Sequence, residues 1–315
     1  MPSVLPKELP MLENRQKIIE RIFDRSDGDG LWELIPKTHK YYPDYLHYVP
    51  NYKASLWTLL LLAELECKRD DQRVTKPLEE IKNHLFDEDH GIYTLKEDHF
   101  PIPCLNGNML YIDCYFNGKP DEKSERLLDF FCRNQRFDDG AYEEPKNPFC
   151  SNKSCYGKHT CYWGVVKLLK GISFIPKQYR NKAVMELRQK CVDFVLKHKV
   201  CYSSNHPSKL MISKLDHLTF PNFYKGDFLE ILWLLKREEI HSRKLVPALE
   251  LLKSKQRSDG MWELERKMNN MVVSIGNVNQ PNPFVTKRAN EVLDYYKNNT
   301  SGETVQDEQK PRNGS

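Results

Sequence analysis

The sequence has no long run of apolar residues. Its longest run is about six residues, around Leu59 to Ala63, whereas a helix that spans a bilayer needs roughly 18 to 20. The stretch from Met1 to Pro6 also lacks the basic and apolar regions of a signal peptide. We therefore expect a cytoplasmic protein with no transmembrane segment.

Neither a strong charge nor a disulfide pattern marks the chain. Lysine plus arginine number 48 against 44 for aspartate plus glutamate, a net charge of +4. Nucleic-acid binding normally needs a concentrated basic face, and no basic stripe is visible, so we expect no nucleic-acid partner. Without an export signal, the nine cysteines favour reduced thiols over a disulfide framework.

What the sequence does contain is a repeated turn. Residues Gln256 to Trp262 place Asp-Gly after an amphipathic run and before an aromatic residue. The same layout recurs at 27–32 and 135–142 and, more weakly, at 89–93. The glycines of these copies lie about 50 to 60 residues apart, with one double interval, and such a period indicates a repeat architecture.

Two kinds of apolar pattern alternate around these turns. Residues 12–23 carry apolar side chains at helical spacing among charges, which predicts an amphipathic helix, whereas residues 53–66 are apolar nearly all round, which predicts an enclosed one. The further amphipathic segments are 74–86, 124–134, 184–198 and 245–255, and the further enclosed segments are 104–116, 161–172, 223–235 and 285–296.

This alternation predicts the fold. Helices with one polar face can cover helices that have none, so we expect an all-α fold, an α/α toroid of five or six helical-hairpin repeats. Five pairs can be counted, and a sixth would lie between Asn205 and Phe220. We expect one domain over residues 1–297 and a disordered, polar tail over 298–315. The oligomeric state stays open.

The repeated turn carries a family resemblance. Gln-x-x-Asp-Gly-x-Trp at 256–262 resembles the repeat of the terpenoid cyclase and protein prenyltransferase α/α-toroid superfamily, and residues 52–57, 104–108, 161–164 and 220–224 are similar to uncharacterised prokaryotic prenyltransferase and squalene-oxidase repeat proteins. The resemblance covers about residues 12–297. It implies the toroid fold, and it implies that the glutamine and tryptophan of each turn tie an outer helix to its neighbour. It does not fix the reaction, because one fold serves many activities.

The superfamily's acid and zinc motifs do not transfer to this chain. Its squalene-cyclising members protonate an alkene with Asp-x-Asp-Asp, which is absent here, and the pairs at 138–139 and 27–29 lie in repeat turns that aspartate commonly caps. Its protein prenyltransferases bind zinc through an Asp-x-Cys pair and a distant histidine, whereas Asp113 and Cys114 are adjacent.

A group of thiols precedes the third enclosed helix. Three cysteines and a histidine lie within residues 150–161, and another cysteine occupies the equivalent helix start one repeat earlier. Thiolate and imidazole at short spacing suit tetrahedral zinc, although buried free cysteines are also common as small apolar residues. Residues 155–157 are similar to one segment of the zinc-dependent lanthionine-forming cyclases, whose second segment is missing. The candidate metal ligands, with zinc as the cofactor, are Cys104, Cys155, His159 and Cys161.

The starts of the enclosed helices supply candidates for substrate binding. Helix N-termini that converge at one end of a barrel favour an anionic group, and aromatic side chains there could enclose an apolar tail. Core packing of the tryptophans and simple solvation of the cations are the alternatives. The candidates are Lys53, Trp57, Asn108, Trp163, Tyr224, Asp227 and Arg288.

Two functions remain open. The first is an enzyme, transferase-like or cyclase-like, that acts on an isoprenoid or similarly apolar substrate in a central cavity, with zinc at Cys155, His159 and Cys161. The second is a non-catalytic toroid that binds a lipid, a peptide or a protein. We favour the enzyme because clustered thiols and aromatic residues at the starts of enclosed helices are unusual for a plain scaffold. The sequence names neither the substrate nor a protein partner.

Overall fold

The computed structural model describes residues 9–33, 37–40, 52–95, 101–138, 155 and 159–300. Within these ranges, ten α-helices follow one another along the chain. They are α1 (Leu9–Phe23), α2 (Ser55–Glu64), α3 (Gln72–Leu85), α4 (Pro103–Asn117), α5 (Glu122–Asn134), α6 (Tyr162–Phe174), α7 (Lys182–Lys197), α8 (Phe228–Arg237), α9 (Val246–Ser254) and α10 (Pro283–Thr300). Two short antiparallel pairs accompany them, β1 (Phe86–Asp87) with β2 (Ile92–Tyr93) and β3 (Glu263–Leu264) with β4 (Gln280–Pro281).

The two sets of helices differ in burial as the sequence predicts. Every residue of α2 and α6 is buried, and α4 is buried from Pro103 to Phe116. Helix α5, in contrast, buries one face through Ser124 and a few apolar residues and carries charges on the other. The even-numbered helices are therefore the inner layer and the odd-numbered ones the outer layer, and the predicted all-α class is confirmed.

Ion pairs close the inner helices into a ring. Lys170 of α6 binds Glu64 of α2 at 2.5 Å and Glu230 of α8 at 2.8 Å. The last inner helix then returns to the first, because Arg288 of α10 binds Glu64 of α2 at 3.2 Å. With α4 packed between α2 and α6, five hairpins make up an α/α toroid. Within the described residues between Asn205 and Phe220, no helix is present that could form a sixth pair.

Glycines let α4 and α6 approach closely. A Cβ on Gly107 would lie 2.4 Å from the carbonyl carbon of Lys167, and a Cβ on Gly171 would lie 2.8 Å from Leu110. These contacts advance in the same direction along both helices, so the helices are parallel. At their far ends Arg237 of α8 donates to the Ser173 carbonyl of α6 at 3.2 Å, which gives α8 the same direction. The N-termini of these inner helices thus lie at one end of the ring.

The repeated turns fasten the two layers together. The indole Nε1 of Trp32 donates to the Ile22 carbonyl, and that of Trp262 donates to the Leu252 carbonyl, each at 2.8 Å. Each indole therefore ties its turn to the preceding outer helix, ten residues back in both cases. The glutamine does not share this role, because Gln256 Nε2 donates to Gly260 within its own turn.

The backbone of each turn also holds the start of the next inner helix. The amide nitrogen of Trp32 donates to Ser55 Oγ at 2.9 Å, and that of Tyr93 donates to Asn106 Oδ1 at 2.7 Å. The amide nitrogen of Trp262 donates to Thr286 Oγ1 at 3.0 Å in the same way. Glycine is required in these turns because the residues at 30, 91 and 260 have φ of +79°, +70° and +81°. The glycine of the copy at 135–142 lies outside the described residues.

Two predicted boundaries differ from the structure. The fourth inner helix begins at Phe228 rather than Phe223, because Asp227 is extended and its side chain caps α8 by accepting from the Glu230 amide. Helix α10 continues to Thr300, past the predicted start of the tail, and residues 301–315 lie outside the described ranges. Among the described helices, none is long and apolar enough to cross a membrane.

Candidate functional site

Four aromatic rings meet where the inner helices begin. We call Tyr52, Trp57, Phe223 and Tyr224 the aromatic cluster. Trp57 lies with its ring centroid 5.1 Å from Tyr52, 5.2 Å from Phe223 and 6.2 Å from Tyr224. Tyr52 stacks on Phe223 at 5.3 Å. Trp57 and Phe223 are fully buried, whereas Tyr52 and Tyr224 are partly exposed, so the tyrosines form the accessible side of the cluster.

Polar groups surround the accessible side. The two tyrosine hydroxyls share a hydrogen bond, and burial together with Tyr224 raises the pKa of Tyr52 well above its usual value. The ammonium of Lys225 lies 5.4 Å from the centroid of the Tyr224 ring. Arg266 donates to the Gly226 carbonyl at 2.9 Å, and its charge favours the ionised form of Tyr52. Two cations therefore stand beside the tyrosines.

Asn108 of α4 presents a buried acceptor next to the cluster. Its Nδ2 donates to the Phe223 carbonyl oxygen at 3.5 Å. Because a carbonyl oxygen can only accept, this contact fixes which atom of the amide is Nδ2 and which is Oδ1. Asn108 is completely buried, and its Oδ1 has no hydrogen-bond partner among the described residues. An unsatisfied buried acceptor costs about 1–3 kcal/mol, which makes this amide a candidate polar contact for a ligand.

Trp163 lies beside Gly226 of the loop that carries Phe223 and Tyr224. Gly226 lies between Trp163 and Glu230, since a Cβ at this position would be 3.5 Å from Trp163 Cζ3 and only 1.8 Å from Glu230 Oε2. Gly226 belongs to the loop 219–227, which also carries Phe223 and Tyr224. Any side chain at this position would therefore displace either the loop or the Glu230 carboxylate.

A network of buried charges fills the middle of the ring. We call Glu64, Lys167, Lys170, Glu230 and Arg288 the central ion network. Lys167 Nζ lies 2.7 and 2.8 Å from the two Glu230 carboxylate oxygens, and Lys170 connects Glu230 to Glu64. The four side chains on α2, α6 and α8 are at most 1% exposed. Charged side chains therefore occupy the space between α2, α6 and α8, and the expected central cavity stays a prediction.

Asn222 connects this network to the loop of the aromatic cluster. Its backbone carbonyl accepts from Lys167 at 3.1 Å, its Oδ1 accepts from Arg288 at 2.6 Å, and its amide nitrogen lies 3.4 Å from Glu64 Oε2. Phe223 follows directly in sequence. The charges thus fix the loop that places half of the aromatic cluster.

Burial and pairing set the titration of the network. Burial lowers the pKa of Lys167 to about 8, even though Glu230 favours its charged form. Burial alone would raise the pKa of Glu64, but the charges of Lys170 and Arg288 outweigh it and lower this pKa to about 2. Near neutral pH Glu64 is therefore charged, as its close ion pairs require.

The candidates taken from the sequence fall into three groups. Trp57, Asn108, Trp163 and Tyr224 come together at or beside the aromatic cluster. Asp227 caps α8 and accepts from two backbone amides, and burial raises its pKa to about 6. Arg288 belongs to the central ion network, and Lys53 is exposed. Whether these residues bind substrate stays a prediction.

Three of the thiols come close together at the starts of α4 and α6. The Cys155 thiol donates to Cys161, which raises the pKa of Cys155 and lowers that of Cys161 to about 7. Cys104 is buried and near enough to affect Cys155 electrostatically, whereas His159 is exposed. Among the described residues, no three histidine, cysteine, aspartate or glutamate side chains are grouped to hold a metal ion. The predicted zinc site is not assembled from them.

The sequence reasoning did not identify four members of the central ion network. Glu64, Lys167, Lys170 and Glu230 stand within helices that are otherwise apolar nearly all round. That position was the available signal, because a charged residue on an enclosed helix needs a partner of opposite charge on another one.

Fold and site together define an α/α toroid with aromatic rings at one end and a charged centre. No protein-family model matches the chain, and no curated protein does. Solved structures that it resembles are those of the type II terpene cyclase MstE from Scytonema, one in complex with its substrate geranylgeranyl dihydroxybenzoate and one with the product merosterolic acid A. Each is 12% identical with a TM-score of 0.36, over 93% of this chain and 99% of the cyclase.

These cyclases are members of the superfamily that the repeated turns resemble. At 12% identity and a TM-score of 0.36, the likeness carries no argument about this chain. It transfers neither a substrate nor a catalytic residue to the chain.

Proposed function

We propose that the chain is an enzyme that acts on an isoprenoid or a similarly apolar substrate at the aromatic cluster. The observation that carries this proposal is the contact among four aromatic rings at the end of the toroid where the inner helices begin. Aromatic rings supply large apolar contact area, and their faces attract cations. An isoprenoid needs both, because its chain is apolar and its reactions pass through carbocations.

The polar surroundings favour a substrate with an anionic head. Lys225 and Arg266 stand beside the two tyrosines, and the N-termini of α4, α6 and α8 lie at the same end of the ring. Helix N-termini and cations together favour a diphosphate. With no Asp-x-Asp-Asp in the sequence, loss of diphosphate fits these residues better than protonation of an alkene.

Binding and turnover of geranylgeranyl diphosphate test the proposal. Binding is measured by quenching of tryptophan fluorescence, and products are extracted and identified by gas chromatography with mass spectrometry. We expect saturable binding and a prenyl product. Removal of the Tyr224 ring by Tyr224→Ala should weaken binding about tenfold, the upper range for one aromatic contact. Tyr179→Ala, which removes an exposed tyrosine outside the cluster, should leave binding unchanged.

The outcomes separate the two functions. Saturable binding without any product would favour the non-catalytic toroid. Absence of binding for the diphosphate and for the alcohol geranylgeraniol would contradict a prenyl ligand altogether.

A further inference from the structure

A cavity lies beside Phe220, near the start of the loop 219–227 that carries Phe223 and Tyr224. Its volume is about 180 Å³. The floor is apolar and buried, and the rim is polar and exposed, with Lys267, Asn269, Asn270 and Ser274 reaching solvent. The residues of the floor that matter below are Phe220, Leu264, Val273 and Ile275.

Contacts to distant parts of the chain hold this cavity open. Phe220 stacks on Phe284 with ring centroids 4.8 Å apart and an interplanar angle of 7°. On the opposite wall, Arg25 at the end of α1 donates to the Val272 carbonyl. Asn282 Nδ2 donates to the Ile275 carbonyl at 3.0 Å. These contacts tie the lining to residues that are distant in the sequence or belong to α10, so the cavity is preformed rather than a gap in a loose loop.

The size of the cavity selects a single ring. An apolar protein cavity of about 150 Å³ is large enough to bind benzene, so 180 Å³ holds one six-membered ring with a short substituent. Met268 and Met271, two flexible and polarisable side chains, contribute to the lining and can adapt to the outline of a ring.

The charge of the rim selects the substituent. Lys267 is the charged residue among the described residues that line the cavity, and neither aspartate nor glutamate is among them. The Lys267 side chain is exposed, so a ligand with its ring on the apolar floor would direct a polar group past this ammonium. A carboxylate in that position forms an ion pair, whereas an ammonium group meets a like charge.

We propose that this cavity is a binding site for a small monocyclic carboxylate. The ring rests on Phe220 and Leu264, and the carboxylate pairs with Lys267. The site goes beyond the proposed prenyl activity and does not depend on it. Phe220 stands three residues before Phe223 on the same loop, so an occupant of this cavity contacts the loop that builds the aromatic cluster.

Three fluorinated probes of similar size test the proposal on the full chain. The probes are 4-fluorophenylacetate, 4-fluorobenzyl alcohol and 4-fluorobenzylamine, and ¹⁹F NMR follows their binding. We expect saturable binding in the order carboxylate, alcohol, amine. Lys267→Met should weaken the carboxylate about threefold, the scale of an exposed ion pair, and leave the alcohol unchanged. Lys267→Glu should reverse the order of the carboxylate and the amine.

A variant that fills the cavity provides the second arm. Met271→Trp places a larger side chain in the lining and should abolish binding of all three probes. Met185→Trp is the matched control, because Met185 is an exposed methionine on α7 outside the cavity, and it should bind as the wild type does. Circular dichroism establishes that each variant is folded.

The proposal is overturned by absence of saturable binding to the wild type, by a preference for the amine, or by equal binding in folded Met271→Trp. The charge series in the wild type decides the matter by itself if Met271→Trp does not fold. None of these results depends on prenyl binding, so failure here and failure of the proposed function are distinguishable.

Discussion

Substitution of Glu230 by glutamine removes the carboxylate that two buried lysines share. Lys170 keeps a carboxylate partner in Glu64 at 2.5 Å. Lys167 keeps only neutral acceptors such as the Asn222 carbonyl at 3.1 Å. The variant therefore leaves Lys167 without its counter-charge in a position with no exposed surface. Because the pKa of Lys167 is about 8 even with Glu230 present, Lys167 in the variant either holds an unpaired charge or releases its proton on folding, and both cost free energy.

The expected cost follows from that unpaired charge. Removal of one partner of a buried ion pair destabilises a protein by about 3–5 kcal/mol. For a chain of this size, such a loss lowers the melting temperature by roughly 5–8 °C. Screening by salt should be weak because the pair is enclosed, so the loss should persist at about 1 M sodium chloride.

A double variant and a surface control complete the experiment. Lys167→Met in the Glu230→Gln background removes the unpaired charge and should recover most of the lost free energy, since buried pairs can be replaced by apolar groups at little cost. Glu250→Gln breaks an exposed pair with Lys253 at 2.9 Å and should change stability by no more than about 0.5 kcal/mol. Unfolding free energies come from urea titration at pH 7.5. A loss for Glu230→Gln as small as that control would refute a desolvated central network.

Three further predictions concern single side chains. Lys167→Met should reveal a pH dependence. Between about pH 8 and 10.5 the unfolded chain keeps a proton on Lys167 that the folded chain has released, so the free energy of unfolding of the wild type relative to the variant should rise by about 3 kcal/mol. A difference that does not change with pH would contradict the lowered pKa of Lys167. Trp262→Phe leaves the Leu252 carbonyl without its indole donor and should cost about 1–3 kcal/mol in a urea titration; no loss would remove the fastening role. Asn108→Leu should change unfolding by less than about 1 kcal/mol yet weaken geranylgeraniol binding, measured by fluorescence; unchanged binding would assign Asn108 to packing alone.

The fold could be predicted from the sequence because the spacing of apolar residues in each helix shows which of its faces are buried. Segments 53–66 and 161–172 are apolar nearly all round, and the structure encloses α2 and α6 there. The turn at 256–262 could be predicted as well, because its aspartate, its positive-φ glycine and its tryptophan each act within or next to the turn. Such local signals give element type and order without knowledge of contacts.

The contacts of the central ion network could not be predicted, because the paired residues are far apart in the sequence. Glu64 and Arg288 are 224 residues apart, and Lys170 is 106 residues from Glu64. No periodicity marks which charge on one enclosed helix meets which on another. The irregular loop 219–227 has the same property, since Asn222 contacts three inner helices through ionic partners rather than through any repeating pattern. The sequence predicts Arg288 as a ligand contact, which stays a prediction, and it does not reveal the ion pair between Arg288 and Glu64.

The centre of the ring gives this toroid a particular character. A buried network of three cations and two carboxylates stabilises specific neighbours only while every group is paired. Here that requirement fixes both the order of the inner helices and the position of the loop that carries Phe223 and Tyr224. The aromatic cluster, which we propose as the substrate site, lies at the end of the ring and not among these charges.

Photo-crosslinking tests most directly that an isoprenoid binds at the aromatic cluster. A geranylgeranyl diphosphate analogue with a diazirine on its terminal isoprene unit is irradiated with the protein, in the presence and absence of excess geranylgeranyl diphosphate as competitor. The labelled peptides are then mapped by mass spectrometry. The account predicts competable labels on peptides containing Tyr52 to Trp57 and Phe223 to Asp227. Competable labels confined to the outer helices, with none on these two segments, would contradict it.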